Sequence, residues 1–204
     1  MIIAIDLDGV LRDFIGQLIK QFKQDYPTSA NKIPQSEDDI TRWALSDFFP
    51  KGWNKKELSK YWRETRPDEI YGDADPYPQA LKFMKQLSKY CKQNKHKLII
   101  ITSAQHKLTQ KANWKWLKRT GVDKLVDEIH MKVDKYKIPG DILLDDYIVN
   151  LEKWSDTKSV SFPGQRIAVA FNRPWNQQWD RARVKNYDAF LLFLKTIDEY
   201  INNL

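Results

Sequence analysis

Two aspartates, Asp6 and Asp8, stand one residue apart straight after the apolar run IIAI (2–5), and a second acidic pair, Asp145-Asp146, straight after ILL (142–144). Thr102 and Ser103 close KLIIITS, and Lys135 lies in VDKYKIPGD just upstream of the second pair. Carboxylates this close repel, and each disfavours ionisation of the other. Something positive must offset them. Four carboxylates, two hydroxyls and one amine make an oxygen-rich set that suits a hard cation, and Mg²⁺ is the usual choice beside phosphates. The chemistry open to such a set is phosphoryl transfer. One carboxylate attacks phosphorus while its neighbour protonates the departing oxygen. Asp6 and Asp8, two positions apart, face the same side if the backbone stays extended through both. Thr102 can hold phosphoryl oxygens, and Lys135 can neutralise charge on the phosphoryl group and the nucleophile. Taken singly, each of these residues has a structural explanation as a turn residue, a helix cap or a surface lysine. Their order, and their shared position at the ends of apolar runs, point to a site.

The elements that must position them follow from periodicity. Residues 2–6, 97–102, 127–131, 141–145 and 166–171 read as strands. Phe14, Leu18, Ile19 and Phe22 repeat at helical spacing in a helix that Pro27 closes, and 78–94, 107–120 and 186–201 read as further amphipathic helices. Gly121 stands where a helix C-terminal glycine belongs, and Ser36 ahead of acidic residues is a candidate N-cap. Apolar strands alternating with amphipathic helices predict an α/β fold, a Rossmann-like doubly wound parallel sheet. In such a sheet, ligands bind beyond the carboxyl ends of the strands, where the acidic pairs, Thr102 and Ser103 fall. Residues 14–75 carry no strand signal and read as a small helical cap inserted after strand one. Residues 1–13 and 76–204 would then form the core domain.

Composition bounds the function. Of 204 residues, 42% are hydrophobic and 30% charged, which describes a globular protein rather than a disordered one. No run approaches the roughly 20 apolar residues that span a bilayer. The N-terminus reads as the first strand, not as a signal peptide. One cysteine, Cys91, allows no intrachain disulfide, and the three histidines show no zinc-ligand spacing. These features lead to the expectation of a reducing, cytoplasmic compartment. A net charge of +7 and eight tryptophans fit an anionic, base-bearing partner as well as they fit a lysine-rich surface over an aromatic core.

Asp6-Leu7-Asp8-Gly9-Val10, Thr102, Lys135 and Asp145-Asp146, in that order, resemble the four motifs of haloacid dehalogenase (HAD) superfamily phosphatases. Within that superfamily DLDGVLRDF, the ITS closing the second strand and DKYKIPGDILLDD are similar to the 5′(3′)-deoxyribonucleotidase family, over roughly residues 1–150. The resemblance implies that Asp6 is the nucleophile, forming a phosphoaspartate, and Asp8 the general acid and base. It implies Mg²⁺ on the Asp6 carboxylate, the Asp8 carbonyl and the Asp145-Asp146 pair, with Asp146 favoured. Thr102, Ser103, Lys111 and Lys135 would bind phosphate. Phe14, Trp43 and Trp62 of the cap would stack on the base. Arg42 and Ala104-Gln105 depart from the family pattern where the nucleoside would sit.

The expected function is therefore a Mg²⁺-dependent phosphomonoester hydrolase acting on nucleoside monophosphates, with no membrane partner. One alternative is a phosphatase of nucleic-acid 3′ ends, for which the lysine-rich stretches would form a groove. A second is a non-catalytic nucleotide-binding protein of the same fold, which the intact motif residues disfavour. The oligomeric state, a homodimer included, stays open, as do the contacts of Arg12, Arg173, Trp175 and Asn176.

Overall fold

The apolar runs become strands of one sheet because helices cover both of its faces, the arrangement parallel strands require. The structure, a computed structural model, describes residues 1–131 and 134–202. The strands are β1 (Ile2–Ile5), β2 (Lys97–Thr102), β3 (Glu128–Met131), β4 (Ile142–Asp145), β5 (Ile167–Phe171) and β6 (Arg183–Val184). They pair in parallel in the order β3-β2-β1-β4-β5-β6. The order reverses between β1 and β4, which opens a crevice at their carboxyl ends.

The helices are α1 (Phe14–Asp25), α2 (Lys55–Lys60), α3 (Ala80–Gln93), α4 (Lys107–Thr120), α5 (Ile148–Ser155) and α6 (Tyr187–Asn202). Alternate strand residues divide between the two faces. Ile3, Ile5, Leu98, Ile100 and Leu144 pack with Phe83 and Leu87 of α3 and with Phe190 and Leu194 of α6. Ala4, Ile99, Ile101 and Leu143 pack with Leu151 and Trp154 of α5. Each large apolar side chain buried this way contributes about 1.5–3 kcal/mol. The expected strands and helices all form, with ends shifted by one or two residues. Two elements carry too weak a pattern to read in advance: β6, with two residues, and α5, with eight.

Between β1 and α3 the described chain has no sheet strand. It runs through α1, short 3₁₀ turns, α2 and two π-helical stretches, Tyr61–Thr65 and Asp68–Gly72. Asp13 caps α1 by accepting from the Gly16 N–H at 2.8 Å. Ser36 caps the turn Glu37–Asp39 in a reciprocal capping box, as its sequence context indicates. The segment buries its own aromatic cluster, with Phe14, Leu18 and Phe22 of α1 against Phe49, Leu58, Tyr61 and Ile70. That cluster reaches the rest of the chain through Ala112 of α4 and Trp175. The chain leaves and re-enters the sheet side by side. The Asp13 N–H donates to the Asp75 carbonyl at 3.0 Å, and the Tyr77 N–H to the Leu11 carbonyl at 2.9 Å.

At the opposite end of the strands, buried Asp141 acts as a clip. Its carboxylate accepts from the N–H groups of Ile2 (2.6 Å), Val160 (2.8 Å) and Ser161 (2.9 Å), and from the hydroxyls of Ser159 and Ser161. Burial alone would raise its pKa, but these hydrogen bonds outweigh it and hold the carboxyl below its ordinary value. The stabilisation is present above the unfolded-state pKa of about 3.9 and is lost as pH falls through the lower folded-state value. Asp141→Ala should cost about 3 kcal/mol by stranding buried donors. Asp141→Asn should be less stable than wild type at neutral pH. In chemical denaturation at a series of pH values, that gap should close as pH falls below about 4.

Candidate active site

The crevice between β1 and β4 gathers the residues singled out above. Asp6 follows β1, Thr102 ends β2, Asp145 ends β4 and Asp146 follows it; these four and Lys135 are buried. One oxygen from each of Asp6, Asp145 and Asp146 lies within 4.8 Å of the others. Lys135 Nζ bridges Asp6 Oδ1 at 2.8 Å and Asp145 Oδ2 at 2.7 Å. Burial would deprotonate the lysine, but the two carboxylates outweigh it and raise its pKa, so the ammonium persists. Asp6 is pushed up to about 7, first by burial and then by Asp145 and Asp8, with Lys135 opposing. Asp146 is driven well above the carboxylate range by burial, Asp145 and Asp6.

The oxygens are not equally committed. Asp145 is saturated: Oδ1 accepts from the Tyr147 N–H at 2.8 Å, and Oδ2 from Lys135 and from Asn150 Nδ2 at 3.1 Å. Asp6 Oδ1 accepts from Lys135 and the Leu7 N–H (2.7 Å), while Oδ2 has no hydrogen-bond donor among the described residues. The Thr102 hydroxyl is buried without any partner among the described residues. A free carboxylate oxygen and an orphaned hydroxyl on neighbouring strand ends require a ligand rich in oxygen. A carboxylate cluster short of positive charge fits a divalent cation.

Asp8 departs from the expected geometry. Pairing within the sheet stops at Ile5, the Leu7 carbonyl accepts from the N–H groups of Val10, Leu11 and Arg12, and Asp8 forms an isolated parallel bridge with Arg12 across the turn at 9–11. Past Ile5 the alternation argument has no sheet strand to rest on. Asp8 Oδ1 pairs with Arg12 Nε at 2.7 Å instead. Arg12 is fully buried. Nη1 donates to the Tyr71 carbonyl at 3.0 Å and Nη2 to Asn113 Oδ1 at 2.8 Å, and the guanidinium lies over the rings of Tyr71 and Trp116. Gly9, at φ +71°, completes the turn, and a Cβ there would fall 2.1 Å from Asp146 Oδ2.

FNRPWNQQW also closes on the crevice. Trp175 Nε1 donates to Asp146 Oδ2 at 2.9 Å, Asn176 Nδ2 to the Asp146 carbonyl at 2.9 Å, and Arg173 Nε to the Gly9 carbonyl at 2.7 Å. Of the base-stacking candidates, Trp43 lies nearest in this network, packed on Tyr147 (5.4 Å) and Trp175 (5.6 Å). Phe14 is buried, stacked on Tyr71 at 5.2 Å with Trp62 edge-on at 5.8 Å. Ser103 is exposed beside a cavity of about 50 Å³ that it shares with Arg63 of the helical segment. Lys111 is exposed on α4 and makes no ion pair among the described residues. Arg12, Asn113 and Asn150 carry no sequence signal as site residues, because each acts through a fold contact rather than a motif.

The family model of 5′ nucleotidase, deoxy (pyrimidine), cytosolic type C protein matches residues 1–195. No curated protein matches the chain. Among solved structures, a Bacillus subtilis protein described as a HAD-hydrolase bound to magnesium is 9% identical, covering 95% of this chain and 98% of its own at a TM-score of 0.60. A haloacid dehalogenase-like hydrolase of Xanthomonas campestris is 10% identical (TM-score 0.56, 100% and 98% covered). A Lactobacillus delbrueckii protein described as a phosphoglycolate phosphatase is 12% identical (TM-score 0.55, 93% and 95% covered). At such identities these likenesses establish the fold.

The repulsion within the cluster has a measurable consequence. Asp146→Asn keeps an oxygen for Trp175 and removes one buried charge. Its melting temperature in EDTA at neutral pH should exceed that of wild type, by the equivalent of about 0.5–2 kcal/mol. A lower value would show that the carboxylates are not strained.

Proposed function

The chain belongs to the 5′ nucleotidase, deoxy (pyrimidine), cytosolic type C family, a phosphatase on the HAD-like fold, and from that premise we propose its chemistry and substrate. It is a Mg²⁺-dependent phosphomonoesterase that releases phosphate from nucleoside monophosphates, 5′(3′)-deoxyribonucleotides first among them. The observation that carries the reading is the free Asp6 Oδ2 beside buried Lys135 and the orphaned Thr102 hydroxyl.

Asp6 Oδ2 attacks phosphorus and the ester P–O bond breaks, leaving phosphate on Asp6. Asp8 gives its proton to the departing nucleoside oxygen. It then takes a proton from the water that attacks the phosphoaspartate, which frees inorganic phosphate and restores Asp6. Thr102, Ser103 and Lys135 hold the phosphoryl oxygens, and Lys111 adds a fourth contact. Mg²⁺, held by the Asp6 and Asp146 carboxylates and the Asp8 carbonyl, would offset the charge of carboxylates and phosphate. Asp145, with both oxygens engaged, orients Lys135 instead.

Residues 14–75 form the cap over a core of 1–13 and 76–204. The separate aromatic cluster and the paired exit and re-entry at Asp13 and Asp75 support this division. Trp43 is the favoured base platform, since it packs on the tryptophan that holds Asp146. Phe14 and Trp62, packed on each other in the helical segment's aromatic cluster, are the further candidates for contact with the base. Cytosolic residence follows the family description, and no described helix is long and apolar enough to cross a membrane.

A second reading, phosphatase action on nucleic-acid 3′ ends, draws on the exposed face of α4, where Lys107, Lys111, Trp114 and Lys118 stand together. It predicts activity that falls steeply with salt.

Phosphate release from 5′- and 3′-nucleotides, sugar phosphates and 3′-phosphorylated oligonucleotides should be greatest with deoxynucleotides and should vanish in EDTA. Asp6→Asn should lower kcat at least about 10³-fold. Activity without a divalent cation, or an active Asp6→Asn, would defeat the mechanism; preference for oligonucleotides would favour the second reading. Arg12 tests the role of Asp8. Arg12→Met should slow deoxynucleotide hydrolysis about 10²-fold, because an alkoxide needs its proton. Hydrolysis of p-nitrophenyl phosphate, whose leaving group needs no proton, should fall less, because only the second step then draws on Asp8. Arg12→Lys should recover part of the loss, lacking the fork but keeping the charge.

A further inference from the structure

On the other side of the Gly9–Val10 turn from the carboxylate cluster lies a cavity of about 360 Å³, framed by the start of α3, the end of β5 and the start of α6. None of Asp6, Asp8, Thr102, Lys135, Asp145 and Asp146 lines it. Its volume falls in the range of small-molecule sites, roughly 300–1,000 Å³.

Its lining combines rings and cations. Tyr77, Phe83, Phe171 and Tyr187 contribute aromatic surface, and Tyr187 is already stacked between Phe83 (4.6 Å) and Phe171 (4.9 Å). Lys82 and Lys185 stand exposed in the lining, neither in an ion pair among the described residues. Arg173 is more than nine-tenths buried, its guanidinium 3.7 Å from the Tyr77 ring centroid. Its Nη1 holds the Glu37 carboxylate at 2.9 Å, which shows that the guanidinium accepts an oxyanion here, and its Nη2 has no acceptor among the described residues. Asp188 is the one acidic side chain in the lining.

We propose that this cavity is a second ligand site, that it takes a nucleoside phosphate, and that its occupancy is felt at the catalytic turn. Flat aromatic surface suits a base. Arg173 with two free lysines suits a phosphate. Two hydrogen bonds carry the coupling. Arg173 Nε holds the Gly9 carbonyl at 2.7 Å, and the Tyr187 hydroxyl holds the Val10 carbonyl at 2.7 Å. Glu37 would compete with the incoming phosphate for Arg173, so the ligand also loosens a contact between the helical segment and the core. The site does not require the chemistry proposed at Asp6.

The test is equilibrium dialysis of Asp6→Asn protein, with Mg²⁺ present, against radiolabelled thymidine and adenosine mono- and triphosphates. Two binding events are expected. The second should weaken at least about tenfold in Lys82→Glu/Lys185→Glu protein of unchanged melting temperature, while the first holds. Glu37→Gln should tighten the second event by removing the competing carboxylate. Absence of any event sensitive to the charge reversal overturns the site. The kcat for p-nitrophenyl phosphate, read at saturating substrate so that competition at Asp6 drops out, should change at least twofold with ligand in wild type and stay constant in the double variant; no change in wild type overturns the coupling. If only the charge-sensitive event is seen, the nucleotide reading at Asp6 falls while this site stands.

Discussion

Everything at the carboxyl edge of the sheet turns on one electrostatic constraint: three buried carboxylates share a space that, among the described residues, one ammonium neutralises. Lys135 bridges Asp6 and Asp145 and leaves Asp146 without a cationic contact. Burial first, and the crowding of carboxylates after it, raise Asp6 and Asp146 above their ordinary values. A structure optimised for stability alone would not keep it, because neutral residues of the same size would serve better. The arrangement is intelligible when a cation and a phosphoryl group are the missing partners. The turn at Gly9 is fitted to it as well, since only the absence of a side chain there leaves room for Asp146.

Two buried arginines tie this edge to the helical segment. Arg12 connects Asp8 to the Tyr71 carbonyl near the end of the segment and to Asn113 on α4. Arg173 connects the Gly9 carbonyl to Glu37 within the segment. Both contacts run from neighbouring residues, 8 and 9. Each arginine fork bridges the turn and the helical segment, so a displacement of the segment would pull on the turn. In phosphatases that enclose their substrates, exclusion of water depends on such closure. Here the same contacts that would sense closure also hold the candidate acid.

Much of the fold was readable in advance because the strand and helix patterns are strong and local. KLIIIT and DILLD can bury both faces only inside a parallel sheet, and the end of each places its oxygen ligands. The carboxylate cluster, Thr102 and Lys135 were readable for the same reason: they sit at fixed offsets from those runs. What the sequence hid was long-range. Arg12 meets Asn113 across 101 residues and Arg173 meets Gly9 across 164, and no spacing rule connects such pairs. The Asp8–Arg12 pair was hidden for a local reason. Period-two reasoning holds only while the backbone remains paired, and pairing within the sheet ends one residue before Asp6.

The aromatic residues show where chemistry and packing become hard to separate. The family resemblance assigns both Phe14 and Trp43 to the base, yet the structure surrounds them differently. Phe14 is consumed by its own cluster, stacked on Tyr71 beneath Trp62. Trp43 is only half-buried, and its neighbours Tyr147 and Trp175 adjoin or bond Asp146. A base resting on Trp43 would thus press on the same indole that holds Asp146 in place. Substrate recognition and carboxylate placement then share one contact chain, so specificity at the base and the geometry of the acidic cluster cannot be varied independently.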